Sequence, residues 1–307
     1  MSALTSTTLF GRAVKLTVGS PTDPTVKVQA QFNEKNTTGL DISGMAIQFV
    51  IEKSLVPTEP NVATIKVMNL SEASRQQLSG ASALTVLLEA GYVGGTSQLY
   101  FAGARAAWST REGANYITHI ESSDTIARPK GIKKTKKIQP GSTTGSIYRT
   151  RGAKVPLIQA FQSITDALGI GDGNLKQALA AGSSPISSVN GAALLGNGAE
   201  RMTDLCRSAG LEWSVQDGEL QLLNVGQTLS TTKAIEVSSA TGLVNSPSVD
   251  SQGAVEMTTL LIPGLAPGVL INVDSLFVKG GFRIEKIRYE GNTQGQEWYA
   301  HIAAAKY

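Results

Sequence analysis

Gly242-Leu243-Val244-Asn245-Ser246-Pro247 opens the last quarter of the chain, and Val255-Glu256-Met257-Thr258-Thr259-Leu260-Leu261-Ile262-Pro263-Gly264-Leu265-Ala266-Pro267-Gly268 follows it. The quarter closes on Phe282-Arg283-Ile284-Glu285-Lys286-Ile287-Arg288-Tyr289-Glu290-Gly291-Asn292-Thr293-Gln294-Gly295-Gln296-Glu297-Trp298-Tyr299-Ala300. An apolar run rich in β-formers gives way to two Pro-Gly marks, a long strand, and a Gly-bounded polar turn ahead of an aromatic strand. That order describes a small antiparallel barrel or sandwich. Within the long strand the alternation slips, with Phe282 and Ile284 on one face but Ile287 and Tyr289 on the other. Successive strand residues point to opposite faces, so the slip reads as a bulge or as a strand buried on both sides.

Working back along the chain, Glu212-Trp213-Ser214-Val215 and Glu219-Leu220-Gln221-Leu222-Leu223 flank Gln216-Asp217-Gly218 as a hairpin. Ala199 to Ala209 sets Met202, Leu205, Cys206 and Ala209 on one helical face, and Gly210 ends it. Pro156 precedes a stripe of Leu157, Ile158, Phe161, Ile164 and Leu168, which Gly169 stops. A weak helix is expected from Asn174 to Ala181. These pieces form a small α+β unit.

The first 127 residues alternate again. Ile47, Phe49 and Ile51 share a face, as do Ala63, Ile65 and Val67, then Leu84, Val86 and Leu88. Ser71-Glu72 starts a short helix that ends near Ser79-Gly80, because Ser71 accepts from orphan amides and Glu72 suits the positive helix end. Tyr92-Val93-Gly94-Gly95 marks a hairpin into strands from Leu99 to Trp108 and from Tyr116 to Ser123. The sum is a meander or barrel with one small helix.

With 307 residues, 41% of them hydrophobic, the chain is long enough for two or three packed units. No run approaches a membrane span, and Met1 to Thr8 lacks a basic region followed by an apolar core, so neither a span nor a secretory signal is expected. The single Cys206 reads as a buried structural thiol. Net charge is +3, yet nine of the 27 Lys and Arg lie between Arg128 and Lys154 with no Asp or Glu among them. The rest holds 18 basic against 24 acidic residues, a balance of −6. The basicity is one segment, rich also in Gly, Ser and Thr, and reads as a connecting arm.

Groups able to catalyse are few. His119 and His301 sit in predicted strands without the spacing of a metal site, and Asp172 and Asp217 neighbour Gly in turn-like strings. No phosphate-binding loop, His-Glu-x-x-His or Gly-x-Ser-x-Gly elbow occurs. No enzyme, cofactor or metal is expected. A wall-degrading hydrolase needs paired carboxylates or a metal, and none is visible. Lys130, Lys133, Lys134, Lys136 and Lys137 could neutralise phosphates, which keeps a nucleic-acid-binding module acting through the arm 128–154 as the alternative. Trp108, Trp213 and Trp298 read as core or interface anchors.

Several motifs resemble, in one order, the central hub proteins of tailed phages, the contractile Mu-like type above all. At the C-terminal end these are Gly242-Leu243 before Pro247, the corner Leu261-x-Pro263 to Pro267-Gly268, and Gly291, Gly295 and Trp298 in a hairpin. Tyr289 stands where a histidine is common in that family. At the N-terminal end they are Leu9-Phe10-Gly11-Arg12, Leu40-Asp41-Ile42-Ser43, Asn61 to Ser71, Glu89-Ala90-Gly91-Tyr92 and Tyr100-Phe101-Ala102-Gly103. In the middle lies the hairpin from Gly210-Leu211 through Trp213, Val215 and Gly218 to Leu220.

The resemblance implies a mainly β protein in which two tail-tube-like β-barrel domains flank a small α+β domain. The expected division is 1–127 for the first barrel, 128–154 for the basic arm, 155–229 for the α+β insertion and 230–307 for the second barrel. It implies a structural hub of the tail or baseplate, in which a homotrimeric ring joins the sixfold tube to the threefold spike and leaves a channel for DNA. Its partners are then the tail tube, central spike, tape-measure and baseplate wedge proteins, with DNA only as cargo, in a virion assembled in host cytoplasm. The long strands suggest subunit contact through Met45, Ile47, Phe49 and Ile51 and through Phe282, Ile284, Ile287 and Tyr289, because open strand edges invite pairing.

Overall fold

The apolar alternation becomes strands whose buried residues fall at every second position in Val62–Met68, Val255–Leu260 and Trp298–Lys306, whereas Thr85–Tyr92 is buried on both faces. In a computed structural model, residues 11–21, 37–42, 44–80, 84–93, 95–124, 149–150, 155–180, 188–189, 193–194, 197–229, 233–251 and 253–307 are described. The first module runs β1 (Arg12–Pro21), β2 (Thr37–Asp41), β3 (Ile47–Ser54), β4 (Val62–Met68), α1 (Glu72–Gly80), β5 (Thr85–Tyr92), β6 (Gly95–Glu112) and β7 (Asn115–Ser123). The α+β unit holds β8 (Arg149–Thr150), β9 (Val155–Pro156), α2 (Leu157–Leu168), α3 (Leu175–Ala180), β10 (Ser188–Val189), β11 (Ala193–Leu194), α4 (Gly198–Ala209), β12 (Leu211–Gln216) and β13 (Glu219–Asn224). The last module holds β14 (Ile235–Ser238), β15 (Ser248–Val249), β16 (Val255–Leu260), β17 (Leu270–Asp274), β18 (Lys279–Asn292) and β19 (Trp298–Lys306).

Both ends of the chain belong to one sheet. Its strands run β15-β16-β19-β18-β3-β4-β7-β6-β5-β1-β2, with β17 on β18 and β14 on β17. One hydrophobic cluster accordingly extends from Leu16 in β1 through Phe49 and Ile65 to Tyr289, Trp298 and Ala304. Each fully buried large side chain contributes about 1.5–3 kcal/mol, so this shared core locks the two modules together.

The modules repeat one plan. In each, a long strand forms a hairpin with the next, and the ladder slips once: between Ala104 and Ala106 in β6, and between Ile284 and Lys286 in β18. Beyond the slip Trp108 stands opposite His119, and Arg288 opposite His301, so the chain's two histidines occupy matching stations. On the far side of β7 and β19, Lys66 and Thr258 face those histidines in turn. Before the slip, Val86 pairs with Ala102 as Ile271 pairs with Phe282. The Ala104 amide donates to the Leu84 carbonyl, just as the Ile284 amide donates to Val269. The plan departs where α1 is replaced by the loop with the two Pro-Gly marks, and where β14 joins β17 parallel while β1 joins β5 antiparallel.

The α+β unit has its own core of Phe161, Ile164, Met202, Trp213 and Leu222. Gly169 and Gly210 end α2 and α4 in the left-handed conformation, as their positions after the apolar stripes foretell. The Asn197 side chain caps α4 by accepting from the Ala199 amide. In the β12–β13 turn both Asp217 and Gly218 have positive φ, the geometry that suits a tight two-residue hairpin.

Candidate functional site

The strands named as subunit contacts meet each other. β3 and β18 pair antiparallel from Ser54 opposite Lys286 to Gln48 opposite Asn292. Tyr289 pairs with Ala300 on one side and Ile51 on the other, while Phe282 pairs with Lys306 and Ile271. One edge of β18 is therefore filled by β19, and the other first by β17 and then by β3. The second edge of β3 is filled by β4. The expectation that these strands hold open edges for a sister copy is corrected: each edge is met within the chain. The reason is the bulge at Glu285, which ends the run with β17 and lets the second half of β18 serve a new partner. Ile47, Phe49, Ile51, Phe282, Ile284, Ile287 and Tyr289 all lie in the core, and only Met45, ahead of β3, is half-buried.

This junction gives each part of the Gly291 to Trp298 motif a physical task. A side chain on Gly291 would strike the Phe49 ring, which packs edge-on against Trp298 with centroids 5.8 Å apart. The Arg12 guanidinium lies over Trp298 and donates to the carbonyls of Asn292, Gly295 and Gln296, tying β1 of the first module to the turn of the last. The Tyr289 hydroxyl donates to the Leu265 carbonyl in the Pro-Gly corner, so the ring fills the core and satisfies a buried carbonyl.

Away from the core, the sheet carries a polar face across the junction. Thr258, His301, Arg288 and Glu52 stand opposite one another on four successive strands. Arg288 pairs with Glu290 at 2.6 Å and Glu52 at 3.4 Å, His301 lies 3.6 Å from Glu290, and Lys286 holds Glu59 at 2.8 Å. Thr258 bonds His301 at 3.1 Å, an ordinary cross-strand contact of a sheet surface. In the first module Thr110 bonds His119 at 3.0 Å, and the Trp108 ring stacks on that imidazole at 5.1 Å. The same face carries Lys66, Lys286 and Arg288 against Glu52, Glu112, Glu121, Glu256 and Glu290. Acidic groups predominate, and the basic ones near the junction are paired.

A buried polar cluster, which the sequence reading missed, clips the α+β unit to this body. Lys53, 5% exposed, donates to Asp217 at 2.9 Å and to the Leu99 carbonyl. Asp217 also accepts from the Phe101 amide. Asn61 donates through its amide group to Asp124, the Val215 carbonyl and Gln216, and the Gln216 amide returns to the Ser54 carbonyl. Burial pushes the Asp124 carboxyl up to about 7, against the opposing pull of Lys53 and Asn61. The two turn aspartates reach beyond their own turns: Asp217 accepts from Lys53, and Asp172 accepts from Thr165 and Gln162 of α2. A lysine at an inward position of β3 was the available signal for the cluster.

Lys130, Lys133, Lys134, Lys136 and Lys137 of the arm lie outside the described residues. Trp213 and Trp298 are buried as expected, Cys206 is buried with its thiol pushed up by desolvation, and Trp108 is 39% exposed. Among the described residues no group of three or more His, Cys, Asp or Glu could hold a metal, and no helix is long and apolar enough to cross a membrane.

No protein-family model matches the sequence, and a comparison with curated proteins finds no match. Solved structures do match. The 43 kDa tail protein of prophage MuSo2 from Shewanella oneidensis shares the architecture with a TM-score of 0.57 at 9% identity, over 96% of this chain and 98% of that one. The chain has a tail-protein fold. A tail protein from Neisseria meningitidis MC58 matches with a TM-score of 0.56 at 10% identity, over 97% of both chains. The expected class, mainly β with a small α+β insertion, holds at the level of fold, and the two end modules share one sheet and one core.

Proposed function

We propose that the protein is a structural hub of a phage tail or baseplate, whose copies close into a trimeric ring between a sixfold tube and a threefold spike. The observation that carries this reading is the internal repeat. Two modules with matching bulges, matching registers and matching histidines are fused edge to edge by β3 and β18. A chain built this way counts as two units in a ring, so three chains offer six similar surfaces to a sixfold neighbour while keeping threefold symmetry for the other. The tail-protein fold shared with the two tail proteins supports the setting.

The polar sheet face spans both modules without a break and lines the channel in this reading. Its surplus of glutamates, with Arg288 and Lys286 held in ion pairs, suits a passage for DNA, since unpaired cations would bind phosphates. The work is mechanical. Tube, spike, tape-measure and wedge proteins are the proposed neighbours. Negative-stain imaging of the purified chain tests this: class averages with threefold symmetry and a central hole support the hub, and solitary particles without a hole refute it.

A further inference from the structure

Lysine and carboxylate meet at almost the same distance in very different surroundings along this chain. Lys279 with Asp274 and Lys286 with Glu59, both at 2.8 Å, lie on the surface. Lys53 with Asp217, at 2.9 Å, is withdrawn from water: the lysine side chain is 4% exposed and the aspartate 23%. Both groups are held from several sides. Lys53 Nζ also donates to the Leu99 carbonyl, and the Phe101 amide donates to Oδ1 of Asp217 at 3.0 Å. Leu99 is a bulged residue of β6, since Leu88 pairs with Tyr100 and Glu89 with Gln98, and its carbonyl serves the lysine. Asp217 occupies the positive-φ turn of the β12–β13 hairpin, which leaves its backbone little freedom. A third ionisable group completes the site. Asp124, buried, lies within electrostatic reach of both Lys53 and Asp217, and its two oxygens accept from the backbone and side-chain amides of Asn61. The buried rings of Tyr100 and Tyr289 feel the Asp217 charge as well.

We propose that Lys53 and Asp217 condense to an isopeptide bond, a covalent tie between β3 of the first module and the β12–β13 turn of the α+β unit, with Asp124 relaying the protons. The ion pair passes one proton from nitrogen to oxygen, becoming amine and acid. Nζ then attacks Cγ, which stands one C–O bond beyond the oxygen already touched and so near the ~3–3.5 Å of a reactive contact. The Phe101 amide stabilises the charge that develops on Oδ1. Asp124 takes the proton released by nitrogen and returns one to Oδ2, which departs as water. Burial keeps the Asp124 proton on up to about pH 7, so near neutrality this carboxyl serves as donor and acceptor in turn. The balance closes without oxidant or reductant: an ammonium and a carboxylate become an amide N–H, a carbonyl and one water. Two opposite charges vanish from a site where keeping them desolvated is costly. The surface pairs of Lys279 and Lys286 stay solvated and ionised, and do not react. In the uncondensed chain the ion pair alone holds the clip; the bond adds a tie at the same point that load does not open. It depends on the geometry of the clip and not on the hub reading.

Mass spectrometry of the full-length chain, incubated near pH 7, tests the bond. The intact mass falls one water below that of the sequence, and trypsin releases a branched peptide joining the segments that carry Lys53 and Asp217. The Asp172-Gly173 and Asp217-Gly218 steps lose the same water if they close to succinimides, so the branched peptide decides. A one-water deficit without it, or a deficit that mild alkali erases, overturns the proposal, as does the full sequence mass after long incubation of the folded chain. Lys53→Arg, which keeps the positive charge, and Asp217→Ala both abolish the branched peptide. Followed in time after cell-free synthesis, Asp124→Asn forms it at least tenfold more slowly with unchanged circular dichroism; an unchanged rate overturns the relay. The wild-type chain gives the same answer without a variant, because the rate falls as pH rises above 7, and a rate that climbs steadily instead overturns the part given to Asp124.

Discussion

Replacing Gly291 by alanine drives a methyl group into the Phe49 ring, and the structure sets the scale of the damage. The new Cβ would fall on Cζ and Cε1 of Phe49, far inside van der Waals contact. Phe49 has little room to retreat, because it is 1% exposed, its ring edge meets Trp298, and its backbone is fixed opposite Gly291 by the pairing of β3 with β18. Overpacking of this kind costs about 1–3 kcal/mol, with the upper half expected where both sides are held. Phe49→Ala alone should cost about 3–5 kcal/mol through the cavity it leaves. Combined, the two changes relieve one another, since the methyl enters space the ring has vacated, and the coupling should reach at least about 1 kcal/mol. Urea unfolding followed by tryptophan fluorescence at one fixed protein concentration measures all four corners of the cycle, and Trp298 reports from the site itself. Gly44→Ala, with nothing within 4 Å of its Cβ, is the neutral control. Costs that simply add, within about 0.5 kcal/mol, would refute the assignment of Gly291 as the space that seats Phe49.

Lys53→Met removes the cation from the Asp217 carboxylate, which keeps its bond from the Phe101 amide, and should cost about 3 kcal/mol, the lower end for loss of one partner of a buried pair. Hydrogen exchange should then speed up first in the β12–β13 hairpin; uniform change across the chain contradicts the clip. Because the folded Asp124 carboxyl is raised to about 7 from an unfolded value near 3.8, its favourable contribution is complete below pH 4 and is lost as pH rises through 7. Unfolding free energy should carry a downward component of up to about 1.4 kcal/mol per pH unit across that window, missing in Asp124→Asn. Arg12→Ala removes a guanidinium from three carbonyls and should cost about 1–2 kcal/mol, with faster exchange at the turn from Asn292 to Glu297. Neutralising Lys130, Lys133, Lys134, Lys136 and Lys137 should leave the assembly's mass unchanged; steeply salt-dependent DNA binding that those changes abolish supports the alternative arm-centred function instead.

Most of the strands and helices were legible because their signals are local. The break in alternation between Ile284 and Ile287 announced the bulge in β18, and Gly169 and Gly210 marked two helix ends by the positive φ they supply. What stayed hidden is long-range. Phe49 and Gly291 lie far apart in the chain, and nothing in either stretch says that β3 of the first module completes the edge of β18. The two long strands, β3 and β18, partner each other within the chain. The repeat was invisible for a related reason: its matched positions, such as Trp108 with Arg288 or Ser109 with Tyr289, keep backbone register while the side chains differ. The Lys53, Asp217 and Asp124 cluster escaped notice because a turn aspartate looks the same in sequence whether it bonds its own backbone or a lysine on a distant strand.

The central claim is that one chain supplies two of six quasi-equivalent units in a closed ring. Native mass spectrometry of the full-length protein, over a range of concentrations, tests it most directly. Three chains of 32.2 kDa predict a dominant species of about 97 kDa. A species that stays at the mass of one chain at every concentration contradicts the account.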